Sequence, residues 1–196
     1  MQRKTVILLS LLLLAACSGS DLQSLMSDSF SPWGAVYNAA RDERSVADIG
    51  FDKAISTQIK GALLNQDGER GLKVKVYCYL RMVTLLGQLE DDNFKAFALA
   101  TAWATEGVRG VTTHWETPSN PGTGMADLEI AARLRAALVA DEDLSATQIE
   151  AEVFSGKVYL IGMVRSPQDA YRAVAHAQAV KGVTGVTSLL NFPRPN

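Results

Sequence analysis

Apolar and polar positions follow the same order twice along the chain. In each half, apolar residues first recur at helical spacing and then alternate with polar residues over two short runs. An Ala-rich helical stretch and a final alternating run follow. A shift of 75 positions brings residues 52–116 onto residues 127–191 without a gap, and the pentapeptide Gly-Val-x-Gly-Val recurs at 107–111 and 182–186. Chance does not keep an ungapped register over this length, so the chain contains an internal duplication.

The two copies predict the same element order, α-β-β-α-β. In the first copy, Ile55, Ile59 and Leu63 mark a helix by their spacing. Two alternating runs then predict strands; they contain Leu72, Val74, Val76, Cys78, Val83, Leu85 and Leu89 in the first copy and Ile149, Ala151, Val153, Val158, Leu160 and Val164 in the second. Ala-rich helices are predicted at about 92–105 and 167–180, each before the last strand of its copy.

This order predicts an α+β fold of two tandem two-layer sandwiches, each with a three-stranded mixed sheet and two helices on one face. Ser155-Gly156 is a hairpin signal in the second copy, whereas Leu80-Arg81 is a poorer turn and predicts an irregular hairpin in the first. The predicted segments are a signal peptide at 1–16, a tether and short N-terminal segment at 17–45, a first domain at 46–116, a linker at 117–124, a second domain at 125–192 and a tail at 193–196.

The repeated pentapeptide raises the question of a phosphate-binding loop. Such loops precede a helix, where free N–H groups and the helix dipole favour an anion. Gly107 and Gly182 instead follow a predicted helix and precede a strand. Glycine commonly ends a helix at this position, in a left-handed conformation. The pentapeptide is therefore predicted to be scaffold, with its first valine packed inward.

The first seventeen residues carry an export signal. Arg3 and Lys4 precede the apolar run VILLSLLLLAA, which has the length of a signal-peptide core and is too short for a stable membrane span. The run ends in LAAC at 14–17, which resembles the bacterial lipobox; the alternative is an ordinary secretory signal with a chance cysteine. The lipobox resemblance implies that Cys17 becomes an acylated N-terminus. Ser18 stands where aspartate would retain a lipoprotein in the inner membrane, which favours the periplasmic face of the outer membrane.

The second copy carries a family motif in its second strand and at its end. The matching residues are Val158, Leu160, Gly162, Val164, Ala173, Ala177, Val180, Gly182, Val183, Val186 and Asn191. On these residues the chain resembles the BON domain, and with the lipobox it resembles envelope lipoproteins that have two BON domains. The resemblance implies binding to phospholipids or membrane surfaces and support of outer-membrane integrity or osmotic-stress tolerance. It implies no catalytic residues.

Composition and motifs give no basis for an enzyme. The net charge of −2 does not favour nucleic-acid binding. His114 and His176 lie in different copies and not at metal-ligand spacing. The acidic run 141–145 lacks the alternating ligands and glycine of an EF-hand loop, so a solvated turn is favoured over a calcium site. Cys78 lies on the apolar side of a strand pattern and is interpreted as a core residue. No metal and no cofactor are predicted.

One helix face carries more apolar residues than a core requires. The first helix of the second copy has its core face at Ile130, Leu134 and Leu138, and 100° per residue places a second stripe opposite. This stripe, here named the helix stripe, consists of Met125, Leu128, Ala132, Arg135 and Val139. It is the candidate contact for anionic phospholipid headgroups or a membrane surface, because apolar side chains enter the headgroup boundary while arginine pairs with phosphate. Burial against another part of the chain is the alternative.

Two further surfaces are apolar beyond the predicted cores. Alternation places Tyr77, Tyr79, Leu86, Phe154, Tyr159, Ile161 and Met163 on the sheet faces away from the helices. We expect these faces to pack against each other between the domains. In the second helix of the first copy, Ala98, Leu99 and Ala102 are expected to face the sheet. Phe94, Phe97 and Trp103 are then expected to be covered by Trp33 and Tyr37 or, as the alternative, by the membrane.

Two functional hypotheses follow from the sequence. The first is a non-enzymatic lipoprotein, anchored in the outer membrane by its N-terminal acyl chains, that binds anionic phospholipid and supports the envelope. The second is an adaptor that docks on an envelope assembly protein, with the lipid anchor used only for localisation. The slightly acidic net charge favours the adaptor, because an acidic protein gains little from an anionic surface.

Overall fold

The structure is a computed structural model, and it describes residues 44–118, 123–144 and 148–192. Eleven elements follow along these residues: α1 (Val46–Gln66), α2 (Gly68–Lys73), β1 (Val74–Tyr79), β2 (Met82–Gln88), α3 (Asp92–Ala104), β3 (Gly110–Glu116), α4 (Thr123–Ala140), β4 (Ile149–Phe154), β5 (Lys157–Met163), α5 (Pro167–Ala179) and β6 (Gly185–Asn191). Apart from the short α2, the two halves have the same order of elements.

Each half forms a three-stranded mixed sheet. The strand orders are β1-β2-β3 and β4-β5-β6. In both sheets the first pair is antiparallel and the second is parallel. The helix between the second and third strands is the crossover that a parallel pair requires. The predicted α+β class, with two tandem two-layer sandwiches, is confirmed.

The two sandwiches have separate cores. The first contains Ile55, Ile59, Leu63, Val74, Cys78, Val83, Leu85, Leu89, Phe94, Ala98 and Ala102. The second contains Ile130, Leu134, Leu138, Leu144, Ile149, Val158, Leu160, Val164, Ala173 and Ala177. Each fully buried leucine or isoleucine contributes about 1.5–3 kcal/mol of transfer free energy. These residues all lie between 55 and 177, so a chain that begins at residue 18 keeps both cores complete.

The predicted first strand begins two residues too early. Leu72, assigned to the alternating run, lies in α2 and is 67% exposed. Asp67 causes the difference, because its side chain accepts a hydrogen bond from the Arg70 N–H and caps a new helix. Gly71 allows this helix to lie close to α1: a Cβ atom at Gly71 would stand 2.7 Å from the Leu63 carbonyl oxygen.

The predicted orientation of α3 is partly wrong. Ala98 and Ala102 are buried as expected, but the third buried residue of the helix is Phe94 rather than Leu99, which is exposed. A spacing of four residues aligns Phe94 with both alanines, and its ring fills space that the small side chains leave. Phe97 packs partly against the same core, and Trp103 is exposed. The proposed cover, Trp33 and Tyr37, lies outside the described residues.

The first hairpin is regular, contrary to the sequence prediction. Tyr79 pairs with Met82, so Leu80 and Arg81 form a two-residue turn. Their φ angles are 52° and 65°, and a type I′ hairpin turn requires positive φ at both central positions. The Asp52 carboxylate compensates for the unfavourable residues, because it accepts hydrogen bonds from both turn N–H groups at 2.8 Å.

The second hairpin uses the equivalent aspartate. Asp127 accepts hydrogen bonds from the N–H groups of Ser155 and Gly156 at 2.8 and 2.9 Å. Ser155 and Gly156 also have positive φ, at 51° and 79°. In both domains, therefore, an aspartate from the first helix fixes the turn between the first two strands.

The repeated pentapeptide holds the same turn from the other side. Gly107 and Gly182 have φ angles of 87° and 96°, which confirms the predicted left-handed conformation. The residue at the variable position then donates to the turn: the Arg109 N–H to the Arg81 carbonyl and the Thr184 N–H to the Gly156 carbonyl, both at 2.9 Å. The pentapeptide thus joins the end of a helix to the hairpin of its own domain.

Candidate functional site

The helix stripe lies on the surface of the second domain. Met125, Leu128 and Val139 are exposed, with Met125 at 76% and Leu128 at 67%. Ala132 and Arg135 are exposed as well. The opposite face of α4 supplies the three buried residues Ile130, Leu134 and Leu138. Helix α4 therefore has two apolar faces, and only one of them contributes to the core.

Both carboxylates near the stripe are already engaged. Asp127 accepts from the hairpin N–H groups, as described above. Glu129 forms an exposed ion pair with Arg133, at 2.6 Å and one helical turn away. The Arg133 cation therefore offsets the charge of Glu129, whereas Asp127 keeps its charge and directs it at the hairpin N–H groups.

Arg135 has a structural contact that the sequence did not reveal. Its Nη1 atom donates to the Ile149 carbonyl at 3.3 Å and so links α4 to the start of β4. The equivalent residue of the first domain, Lys60, donates from Nζ to the carbonyls of Gly71 and Val74 at 2.6 and 2.5 Å. Burial, and then the nearby Lys75, lowers the pKa of Lys60. A cation at this position thus ties the first helix to the first strand in both domains.

The outer faces of the two sheets meet in a third apolar cluster. Leu86 and Ile161 are fully buried there together with Tyr159, and the cluster also includes Tyr77, Tyr79, Phe154 and Leu189. Of the seven residues expected at this place, six are in the cluster. Met163 is buried but does not belong to it. Leu189 was not predicted at this interface, although it alternates with core residues along the last strand.

Polar contacts cross this interface on both sides of the apolar cluster. The Tyr77 hydroxyl donates to Glu152 Oε1 at 2.5 Å, and Lys75 lies 3.6 Å from the same carboxylate. Elsewhere Glu116 accepts hydrogen bonds from the Tyr159 hydroxyl and from Lys157 Nζ. Each glutamate lies in the opposite domain from its tyrosine, so each of these bonds links the two domains.

Both phenols remain protonated donors. Burial, and then the hydrogen bond to Glu116, raises the pKa of Tyr159 to about 12. Burial and the hydrogen bond to Glu152 raise the pKa of Tyr77 in the same way. For Glu116, burial acts to raise the carboxyl pKa, but the hydrogen bonds from Lys157 and Tyr159 outweigh it and the pKa is lowered.

Tyr77→Phe tests the link between the domains. We expect a loss of about 1.5 kcal/mol in the free energy of unfolding, because Glu152 loses a donor while it remains mostly buried. Urea denaturation followed by circular dichroism measures the change. Tyr171→Phe is the matched control, because Tyr171 is exposed on α5 and its loss of a hydroxyl should change stability by less than about 0.5 kcal/mol. Equal midpoints for the two variants would contradict the structural role of the Tyr77 bond.

The remaining candidate groups have structural contacts. Burial raises the pKa of the Cys78 thiol to about 12, so this thiol is a poor nucleophile at neutral pH. His176 lies 2.8 Å from Asp141, and this hydrogen bond lowers the Asp141 pKa. Arg172 pairs with Asp143 at 2.8 Å. Asp141 and Asp143, the two aspartates of the acidic run 141–145, therefore both pair with side chains of α5.

His114 lies beside the interdomain cluster. Its ring centroid is 5.6 Å from that of Tyr159, and its buried Nε2 has no hydrogen-bond partner among the described residues. Within residues 44–118, 123–144 and 148–192, no group of three or more histidine, cysteine, aspartate or glutamate side chains is arranged to hold a metal ion. No described helix combines the length and hydropathy that crossing a bilayer requires. Cys17 lies outside the described residues.

Comparison with known proteins identifies the repeated unit. The BON domain model matches residues 51–116 and 126–193, one match for each sandwich. The chain belongs to the BON domain family. Its similarity to the osmotically-inducible protein Y of Escherichia coli strain K12 is 30% identity over 145 residues, which covers 72% of each chain. Its similarity to the 21 kDa hemolysin of Actinobacillus pleuropneumoniae is 28% identity over 158 residues, which covers 77% of this chain and 79% of the relative.

Two solved structures also match this BON-domain chain. Both are of CdsD, a structural protein of the type III secretion system of Chlamydia trachomatis. The C-terminal domain of CdsD aligns with a TM-score of 0.31 and 11% identity over 73% of this chain and 67% of that chain. A second CdsD structure aligns with a TM-score of 0.32 and 11% identity over 71% of this chain and 92% of that chain.

Proposed function

We propose that this BON-domain protein is a non-enzymatic lipoprotein, acylated at Cys17 and anchored at the periplasmic face of the outer membrane. Its second domain contacts anionic phospholipid headgroups through the helix stripe, and this contact supports envelope integrity under osmotic stress. The exposure of Met125, Leu128 and Val139 on one face of α4 is the observation that carries the proposal.

The physical argument rests on what the stripe offers to a membrane. Three exposed apolar side chains along one helix face can enter the boundary between headgroups and acyl chains while α4 lies parallel to the surface. Each methylene that leaves water contributes about 0.8 kcal/mol. Because Arg133 offsets the charge of Glu129, this carboxylate repels phosphate groups less than a free carboxylate would.

The relatives support an envelope role. One is named for osmotic induction and the other for haemolysis, an activity directed at membranes. Both are similar to this chain over more than two thirds of its length.

Vesicle co-sedimentation tests the proposed surface. Residues 18–196 are mixed with vesicles of phosphatidylglycerol and, separately, of phosphatidylcholine. Leu128→Asp should weaken binding to phosphatidylglycerol roughly tenfold, because it replaces a leucine that would enter the bilayer with a charge that anionic headgroups repel. Leu72→Asp is the matched control, since Leu72 is also 67% exposed but lies on α2 of the first domain. Equal binding by the two variants and the unchanged protein would rule out the helix stripe as the contact.

One groove supports the adaptor as a second candidate. The groove between α5 and β6 has a volume of about 250 Å³ and is mainly apolar. It is lined by Pro167, Ala170, Tyr171, Val174, Ser188, Leu190 and Phe192. With no charged side chain in its lining, it fits an apolar peptide segment better than a phosphate headgroup. If residues 18–196 bound no vesicles but Tyr171→Ser abolished cross-linking to an envelope assembly protein, the adaptor function would be favoured.

A further inference from the structure

The hairpin of the first domain ends in a group of exposed apolar and basic side chains. Phe51, Leu80 and Met82 are all exposed there, with Phe51 at 54%. Arg81 is half-buried and Arg109 is exposed. These five residues are here named the tip surface.

Two contacts made by Arg81 join Phe51 and Arg109 to the turn. The Arg81 guanidinium lies over the Phe51 ring, 5.0 Å from its centroid. The Arg109 N–H donates to the Arg81 carbonyl at 2.9 Å. Leu80 and Met82 flank Arg81 in the chain, and the Asp52 carboxylate beneath the turn holds the Leu80 and Arg81 N–H groups.

The turn adopts a conformation that its residues disfavour. Leu80 and Arg81 both have positive φ, which costs energy for any residue with a Cβ atom and most of all for bulky ones. The second domain makes the same turn with Ser155 and Gly156, a sequence suited to it. Unfavourable backbone conformations concentrate at functional sites, where neighbouring contacts hold them in place. Folding alone gives no reason to place leucine and arginine here.

The equivalent end of the second domain lacks this character. The counterparts of Phe51, Leu80, Arg81, Met82 and Arg109 are Ala126, Ser155, Gly156, Lys157 and Thr184. The second hairpin therefore presents small and polar groups with one lysine, and that lysine pairs with Glu116. The exposed apolar and basic character belongs to the first domain alone.

The charges of the tip surface complement an anionic partner. Among the described residues, neither the Arg81 nor the Arg109 side chain forms an ion pair. Three carboxylates lie on the same segments. Asp52 is buried and paired with Arg44, Asp48 already accepts from the Ser45 hydroxyl at 2.6 Å, and Glu106 is exposed in the loop before Arg109. Guanidinium groups pair with phosphate oxygens, and apolar side chains beside them insert below the phosphates.

We propose that the tip surface is a second membrane contact, in which Leu80, Phe51 and Met82 enter the headgroup boundary of an anionic phospholipid bilayer and Arg81 and Arg109 pair with its phosphates. This inference rests on the proposed membrane function, but it assigns a different domain and different residues from the helix stripe. The two contacts lie in different domains and can be separated by variants.

The turn of the second domain supplies the decisive variant. Leu80→Ser with Arg81→Gly gives the first hairpin the Ser-Gly turn of the second. Residues 18–196 carrying both changes should bind phosphatidylglycerol vesicles roughly tenfold more weakly, because the turn loses its apolar and basic side chains. The melting temperature should rise by about 2–4 °C, because glycine and serine suit the turn better. Loss of folding cannot produce weaker binding together with a higher melting temperature.

Controls separate this inference from the proposed function. Leu72→Ser removes a leucine that is more exposed than Leu80, at 67% against 37%, and that lies before the opposite end of β1; it should leave binding unchanged. Arg109→Gln, which leaves the turn residues intact, should weaken binding and reduce its salt dependence. Unchanged binding by the double variant, with Leu128→Asp still defective, would overturn the tip surface and keep the helix stripe. If the unchanged protein bound neither kind of vesicle, both proposals would fail.

Discussion

Gly162→Ala should lower the free energy of unfolding by about 3–5 kcal/mol, the range of the most damaging single substitutions. Gly162 pairs with Ile149 where β4 begins, and the preceding backbone passes directly over it. A Cβ atom at Gly162 would stand 2.0 Å from the Gln148 carbonyl oxygen and 3.3 Å from the Ile149 Cα. Its φ of 145° adds backbone strain for any other residue. Neither obstacle is a flexible side chain that could move aside.

Urea denaturation of residues 18–196 measures this loss of stability. Alanine substitutions at two further glycines separate its causes. Gly87 occupies the same place in the first domain, where a Cβ atom would stand 2.3 Å from the Lys73 carbonyl oxygen but φ is ordinary. Gly87→Ala therefore reports the steric part alone and should cost somewhat less. Gly185→Ala is the control, since no atom lies within 4 Å of the added methyl group. If the urea midpoint of Gly162→Ala equalled that of Gly185→Ala, the Gln148 backbone would not lie as close to Gly162 as described.

Asp52→Ala is expected to cost about 3–5 kcal/mol, the usual result of removing one partner from a buried ion pair. The Asp52 carboxylate is buried and pairs with Arg44 at 2.7 Å; the two side chains are only 3% and 9% exposed. The same carboxylate accepts from the Leu80 and Arg81 N–H groups and from the Cys78 thiol. Its removal leaves a buried guanidinium without this carboxylate and releases a turn that its own residues disfavour.

Asp127→Ala is the matched control for Asp52→Ala. Asp127 holds the second hairpin through the same two N–H contacts, but it is only half-buried and forms no ion pair among the described residues. Its turn contains glycine, which takes a positive φ at little cost. A loss of about 1–2 kcal/mol is expected, and denaturation by urea measures both variants. Similar losses for the two aspartates would show that the buried pair with Arg44 contributes little.

Much of the fold could be predicted because the same pattern of apolar and polar positions occurs twice in the chain. The ungapped register of the copies, and the spacing of Ile55, Ile59 and Leu63, are local signals that need no knowledge of the tertiary structure. The failures arose where a distant group decides the local conformation. Leu80-Arg81 forms a regular turn because Asp52, 28 positions earlier, holds its N–H groups. Leu72 belongs to a helix because Asp67 caps it and Gly71 allows close packing.

The candidate surfaces likewise contain some features that sequence spacing predicts and others that depend on the tertiary structure. Exposure along α4 follows from helical periodicity, so the positions of Leu128 and its neighbours on one face could be derived from spacing. The contact of Arg135 with the Ile149 carbonyl depends on how the helix sits on the strand, which spacing does not give. The tip surface was missed because its members come from three separate segments. The contrast between Leu80-Arg81 and Ser155-Gly156 was its one signal in the sequence, but on its own that contrast predicted only an irregular hairpin.

The contact between Tyr77 and Glu152 has a consequence for the origin of the chain. These residues are 75 positions apart and so occupy the same place in the two copies, as do Leu86 and Ile161 in the apolar cluster. Equivalent positions can meet only near a twofold axis, which is the geometry of a symmetric homodimer. In such a dimer, tyrosine would face tyrosine, or glutamate would face glutamate. Joining the two domains in one polypeptide allows each to mutate separately, so a donor and an acceptor can stand where a symmetric homodimer would require identical side chains.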